Sequence, residues 1–327
     1  MNKVLTIVFL FSFVFAIEPI VPVMVLGGGV GSLTSALYLA RAGIVPLVIE
    51  GPNPGGLIIQ SHSVQNWPGE MEISGNDLAE KLRKQVLANG VKLIQEEVVS
   101  VDFSKRPYLI TTRPLGETTT TQRATNSVII AMGSKPNFLG IPGEDTYWGK
   151  GISNCAICDG SLYRGKRVGI VGAGDAAVLE GLYLSNIAKE VTVFVRKNAF
   201  KGIEEKRIKA LAAKPNVKIL FLSEVNEVKG VKGRLTSVMV KTKDKPVYEF
   251  PLDGLFLAIG SKPNSSLFKG QLDLDAQGYI VLKNTQETSV PGIYAIGDIV
   301  DPIYKQAITA AGDGAKAALQ AERRLSE

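Results

Sequence analysis

Val21 to Leu26 is an unbroken apolar run, followed by three glycines, Gly27 to Gly29, and then by Leu33, Leu37, Tyr38 and Ala40 at the spacing of one helix face. A short apolar run closed by glycine suits a strand covered on both sides. The segment therefore predicts strand, tight turn and helix, the helix ending near Arg41-Ala42-Gly43. A second apolar run, Val45 to Ile49, stops at Glu50 and completes a βαβ unit with parallel, neighbouring strands. The same order returns further along. Arg167 to Val171 predicts a strand, Gly172-Ala173-Gly174 the turn, Ala177 to Ile187 the helix and Val191 to Val195 the second strand.

Two more segments echo each other. Ile129-Ile130-Ala131-Met132-Gly133-Ser134-Lys135-Pro136-Asn137 and Phe256-Leu257-Ala258-Ile259-Gly260-Ser261-Lys262-Pro263-Asn264 are both apolar strands ending in glycine and a Lys-Pro turn. They flank the second βαβ unit, so they predict one nucleotide-binding domain inserted into another. The expected fold class is α/β with two Rossmann-like three-layer domains, the first from residues 17–134 and 260–327 and the second from 135–259. Thr111 to Arg123, polar and threonine-rich, reads as a hairpin or loop with no chemistry attached.

Composition narrows the function classes. The 327 residues are 45% hydrophobic and 21% charged, enough for two domains with a core each. A net charge of +6 would draw acidic partners, yet no basic run interleaved with aromatics occurs, which argues against nucleic acid. Met1-Asn2-Lys3 precedes an apolar run from Val4 to Ala16, too short to span a bilayer. Residues 1–16 have the shape of a secretory signal cleaved after Ala16, or of an extra buried strand. The nucleotide chemistry argued next favours the cytoplasm, and export stands as the alternative.

In the first unit, Gly27 and Gly29 take the first two positions of G-x-G-x-x-G, with Ser32 at the third, where a small residue suffices for packing. A helix opening there offers free N–H groups to a pyrophosphate. Glu50, at the end of the second strand, suits adenosine ribose hydroxyls and repels a 2′-phosphate. The second unit carries Gly172, Gly174 and Ala177 in the three positions, with Asp175 among them, but its second strand ends in Arg196-Lys197, followed by Lys201. Those cations suit the extra phosphate of NADPH.

Cys155 and Cys158 are the only two cysteines, a C-x-x-C pair just ahead of the second unit. Asp159 follows directly and could carry the proton of thiol-disulfide exchange if burial raises its pKa. A zinc site is poorly supplied, because the single histidine, His62, is distant in sequence and reads as a packing or surface residue.

In these residues, and in Gly55-Gly56, Asn66-Trp67-Pro68-Gly69, Gly297-Asp298 and Tyr304 to Gly312, the chain resembles the low-molecular-weight thioredoxin reductases over nearly everything after the N-terminal run. The resemblance implies FAD in the first domain, near Gly56, Asn66 and Gly133. It also implies that Asp298, at the end of a strand from Gly292 to Ile296, binds the ribityl chain, and that Gln306 and Ala307, opening the last helix, meet the flavin ring. Hydride would pass from NADPH to FAD, electrons to the Cys155-Cys158 disulfide, and the dithiol would exchange with thioredoxin. One domain would rotate against the other, with hinges at Lys135-Pro136 and Lys262-Pro263, and the assembly would be a homodimer. Three features depart from the family pattern: Val195 stands for a histidine with Lys197 and Lys201 for arginines, Leu57 for a glutamine, and Met132 for a threonine. Competing readings are a related flavin-dependent dithiol oxidase or disulfide reductase with another electron donor or acceptor, and a non-catalytic nucleotide-binding or sensor protein.

Overall fold

The computed structural model describes residues 20–201 and 204–327. The apolar run from Val4 to Ala16 lies outside the described residues, so the signal reading is not addressed by them.

Val21–Leu26 is a strand as its pattern demands, and its alternate residues face two different cores. Val23 and Val25 pack with Leu33 and Leu39 of the helix Val30–Arg41 and with Ala317 and Ala321 of the helix Ala307–Ser326. Met24 and Leu26 pack instead with Phe268, Ile280 and Ile299. Around this strand runs a parallel sheet: Lys92–Ile94, Leu47–Ile49, Val21–Leu26 and Thr121–Ile130 lie side by side. The long last strand is shared beyond that, its first half pairing antiparallel with Tyr108–Pro114 and its second half parallel with Ile293–Ala295. Thr111 pairs with Gln122 in that antiparallel ladder, so the threonine-rich stretch is a hairpin.

A second parallel sheet contains Val217–Phe221, Glu190–Val195, Arg167–Val171, Gly254–Leu257 and Ile152–Ser153, in that order. One face packs on the helices Asp175–Ser185 and Glu205–Ala212, the other on an antiparallel sheet of Ser223–Val231, Arg234–Thr242 and Tyr248–Pro251. The fold is mixed α/β with two Rossmann-like units. Two expected boundaries move. The second strand of the first unit starts at Leu47 because Pro46 cannot donate to the ladder, and the helix of the second unit runs Asp175–Ser185, two residues earlier than its apolar spacing suggested.

The two echoing segments meet. Ser134–Pro136 and Ser261–Pro263 pair as an antiparallel ribbon with Lys135 opposite Lys262. Each following asparagine bonds to the other segment: Asn137 donates its backbone N–H to Gly260 and its side chain to Ile259, while Asn264 does the same to Gly133 and Met132. The internal likeness of sequence is thus a near-twofold likeness of hydrogen bonding. No helix of the described residues is long and apolar enough to cross a membrane.

Candidate functional site

The two glycine turns are built alike. Gly27 has φ +121°, and a methyl group on it would fall 2.3 Å from the Ala131 carbonyl oxygen and 3.1 Å from Ser32 Oγ. On Gly172 it would fall 2.5 Å from the Ala258 carbonyl oxygen and 2.9 Å from the Ala177 methyl. The first glycine in each unit therefore lets the turn close on the neighbouring strand, and the third-position Ser32 and Ala177 are small for the same reason. Gly29 and Gly174 cap the following helices with no side-chain hydrogen bond, which leaves helix-opening N–H groups for an anion. Space is left there too. Nothing lies within 4 Å of a methyl on Gly174, and only the Gly56 Cα, at 3.9 Å, approaches one on Gly29. Ser32 Oγ is buried without a hydrogen-bond partner among the described residues. Open glycine cradles and uncapped helix starts in both units, with an orphaned hydroxyl in the first, fit dinucleotide phosphates.

The strand ends carry opposite charge. Glu50 is buried and paired with Arg83 of the helix Gly75–Ala88, which offsets the cost of burying the carboxylate. Nothing local in sequence marks Arg83 for this task. Arg196, Lys197 and Lys201 are all exposed. Val195 before them is fully buried, so the side chain that departs from the family's histidine is turned into the core rather than toward a phosphate. Asp175 opens its helix and pairs with Arg207 at 2.9 Å.

Cys155 and Cys158 form a disulfide at the start of the short helix Ala156–Asp159. Ala156, between them, is buried against Ile170 and Ala177 of the second unit. Gly160 brings the turn onto the next helix, where a methyl would meet the Tyr183 ring at 2.9 Å. From the first unit, Gln306 caps the last helix and directs its Nε2 at both sulfurs, 3.7 Å from Cys155 Sγ and 3.9 Å from Cys158 Sγ. Asn66 Nδ2 donates to Gln306 Oε1 at 3.2 Å. Asn66, Gln306 and the cysteine pair, predicted separately, are therefore one cluster. Close stacking of helices places it: a methyl on Gly31 would strike the Ala310 carbonyl oxygen at 2.9 Å, and one on Gly314 the Gly31 carbonyl oxygen at 2.4 Å, so the last helix, with Ala307 in its first turn, sits directly over the first glycine turn. Gly133 opens the ribbon at φ +65°.

Three carboxyls near this cluster are pushed up by burial. Asp159 rises, opposed by a hydrogen bond from Ser153 and by the charge of His62, so its protonated form becomes accessible beside the disulfide. Asp298 rises likewise, opposed by Ser134 Oγ at 3.2 Å and by Lys305. Glu180, absent from the sequence reading, is pushed up to about 7; it accepts only from the Ala156 amide, and its Oε2 is buried without a partner among the described residues.

Glu180 has a testable consequence for stability. A carboxyl whose folded value lies above its unfolded value of 4.5 favours folding in acid; that advantage is whole below 4.5, shrinks as pH rises from there, and is gone once pH has climbed through about 7. At mildly alkaline pH the buried carboxylate then costs roughly 2–3 kcal/mol. Glu180→Gln is expected to raise the urea midpoint in mild alkali and to leave it unchanged only at or below the unfolded value of 4.5. Equal midpoints at both pH values would contradict this.

The pyridine nucleotide-disulphide oxidoreductase family matches residues 21–314. A thioredoxin reductase of Coxiella burnetii is 39% identical over 313 residues, 92% of this chain and 95% of its own. A glucosaminate ammonia-lyase of Pseudomonas fluorescens is 39% identical over 311 residues, 93% of this chain and 95% of its own. Among solved structures, thioredoxin reductase from Giardia duodenalis superimposes with a TM-score of 0.88 at 36% identity, covering 95% of this chain and all of the other. The chain belongs to the pyridine nucleotide-disulphide oxidoreductase family, among the low-molecular-weight thioredoxin reductases.

Proposed function

We propose that this protein is an NADPH-dependent thioredoxin reductase that uses FAD. The observation that carries the reading is the Cys155–Cys158 disulfide of the second unit, held against Gln306 at the opening of the first unit's last helix. An ammonia-lyase, the activity named for one similar protein, has no use for a sulfur pair in that place.

FAD, when bound, accepts hydride from NADPH and passes two electrons to the disulfide. The chain's own residues do the rest. Gly27, Gly29, Ser32 and Gly56 would cradle the FAD phosphates, Glu50 would take the adenosine ribose, and Asp298 and Gly133 would hold the ribityl side of the cofactor. Asn66, Gln306 and Ala307 would meet the ring, where the N–H groups opening the last helix would favour added negative charge. Gly172, Gly174, Asp175 and Ala177 receive NADPH, and Arg196, Lys197 and Lys201 hold its extra phosphate. When the disulfide opens, the Cys158 amide, 3.2 Å from Cys155 Sγ, stabilises a thiolate there, and protonated Asp159 supplies the leaving sulfur with its proton. The dithiol then exchanges with the disulfide of thioredoxin.

The second unit, residues 135–259, carries both the nicotinamide site and the sulfurs. Both must reach one flavin, so the unit turns about the ribbon of Ser134–Pro136 and Ser261–Pro263. The assembly is a homodimer, which sedimentation would check, and its need for reduced nucleotide favours the cytoplasm. The deciding experiment is an anaerobic titration of the purified yellow protein, first with NADH and then with NADPH. Bleaching at stoichiometric NADPH, with far weaker response to NADH, is the expected result. A colourless protein that takes up no FAD would end the proposal.

A further inference from the structure

His62, the single histidine of the chain, stands between two cavities. One, of about 590 Å³, is wide open and walled by Glu70, Glu72, Asp77, Glu80, Lys81 and Lys84. The other, of about 110 Å³, is more enclosed and lies between the two units. Its walls include Gln60 and Ser63 from the first unit and Ser153, Asp159 and Tyr163 from the second. His62 lines both. It is exposed, and its Nε2 lies 3.9 Å from where a methyl on Gly149 would stand, so the ring reaches across to the second unit. Its charge is felt by Asp159.

We propose that His62 is a proton relay that reloads Asp159 from solvent each time the Cys155–Cys158 disulfide is opened. The inference rests on the reductase reading for the source of electrons. Two electrons from reduced nicotinamide, passed through the flavin, enter the S–S bond and break it. One sulfur takes the proton of Asp159 and the other remains a thiolate. Asp159, left as a carboxylate in a buried place, takes a proton from the imidazolium of His62, and the imidazole takes one from water in the open cavity. Each opening draws one proton from water through the relay, the proton that arrived with the hydride returns to water once its two electrons have passed to sulfur, and both relay groups end as they began.

The surroundings support this direction of flow. Asp159 faces Ser153 on one strand, His62 on the loop of the first unit and Tyr163 on the following turn, whose hydroxyl is itself pushed up to about 12 by burial and by the Asp159 charge. Tyr163 is therefore a poor acid at neutral pH. Glu180, on the helix beneath, is engaged with the Ala156 amide instead. Of the groups named here around Asp159, His62 is the one that is exposed and lines both the enclosed cavity and the open one, with a ring whose nitrogens can give and accept a proton. On the open side, Glu70 is paired with Lys81 and Glu72 accepts from Ser63, while the carboxylates as a group favour cations and protons at the cavity mouth.

The test uses the FAD-loaded enzyme and two variants, His62→Gln and His62→Thr, both at an exposed position where the fold has little to lose. Disulfide opening is followed by rapid mixing, once with NADPH and once with dithiothreitol, at mildly acidic and mildly alkaline pH. Both variants are expected to open about tenfold or more slowly in mild alkali with either reductant. Free imidazole added to the buffer restores most of the rate, and the equilibrium with a dithiol buffer stays unchanged, as a relay requires. Unchanged rates, or a loss that imidazole does not repair, would overturn the relay. Failure of wild-type enzyme with NADPH, alongside an imidazole-rescued defect with dithiothreitol, would instead defeat the reductase reading and leave the relay standing.

Discussion

Cys158→Ser is expected to give a folded yellow protein that NADPH still bleaches, yet that reduces thioredoxin at less than about one thousandth of the normal rate. A serine oxygen cannot close a disulfide with Cys155, so electrons reaching the flavin have no sulfur pair to enter. The fold survives because little rests on that sulfur. The turn is anchored by buried Ala156, by Gly160 against Tyr183 and by backbone hydrogen bonds, of which Asp159 to Cys155 is one. The FAD cradle lies on other elements altogether. Steady-state turnover with thioredoxin, measured beside the flavin spectrum, checks both halves. Turnover within tenfold of wild type would falsify the role of the disulfide, whatever the spectrum shows.

The second large effect concerns choice of donor. Arg196, Lys197 and Lys201 are exposed at the end of the second unit's strand, where the first unit has Glu50. A phosphate held by one guanidinium and two ammonium groups gains charge-assisted bonds that water replaces only in part. Removing all three, as Arg196→Ala with Lys197→Ala and Lys201→Ala, is expected to raise the KM for NADPH by about 100-fold or more, a loss of roughly 3 kcal/mol. The KM for NADH should hardly change. The wild-type preference for NADPH should also weaken with added salt, because the contacts are solvent-exposed. Parallel losses for both nucleotides would mean that the cluster supports the fold of the site rather than reading the phosphate. Restoring Arg196 alone should recover more than restoring either lysine, since only the guanidinium offers a fork of donors.

The parts of this molecule readable from the chain were those governed by neighbours in sequence. Val21–Leu26 ends where its apolar run does, and Arg167–Val171 carries its one charge at its first residue, because a strand buried on both faces tolerates no polar interruption inside it. The glycine turns were legible because Gly27 and Gly172 must each admit a neighbouring carbonyl closer than any methyl allows. The charges at the strand ends were legible for a similar reason: a strand of known direction fixes where its last residue emerges. The C-x-x-C spacing carried its own chemistry. The helix Asp175–Ser185 was placed two residues late, since its first two residues, Asp175 and Ala176, are exposed and add nothing to the apolar repeat.

What the chain alone did not contain were meetings between residues far apart along it. Gln306 stands 151 residues from Cys155, and their approach depends on how the last helix stacks over the first through Gly31 and Gly314. Arg83 under Glu50, and Glu180 under Ala156, are side chains on helices whose polar positions look like ordinary solvent faces until the packing direction is known. His62 is the clearest case. As a lone histidine in a polar loop it read as a packing or surface residue, and only the seating of one unit on the other set it between open water and a buried carboxyl. Local stereochemistry decided the shape of each glycine turn and the charge at each strand end; burial and distance, which exist only once the chain is packed, decided which buried carboxyls and side chains stand beside the sulfurs.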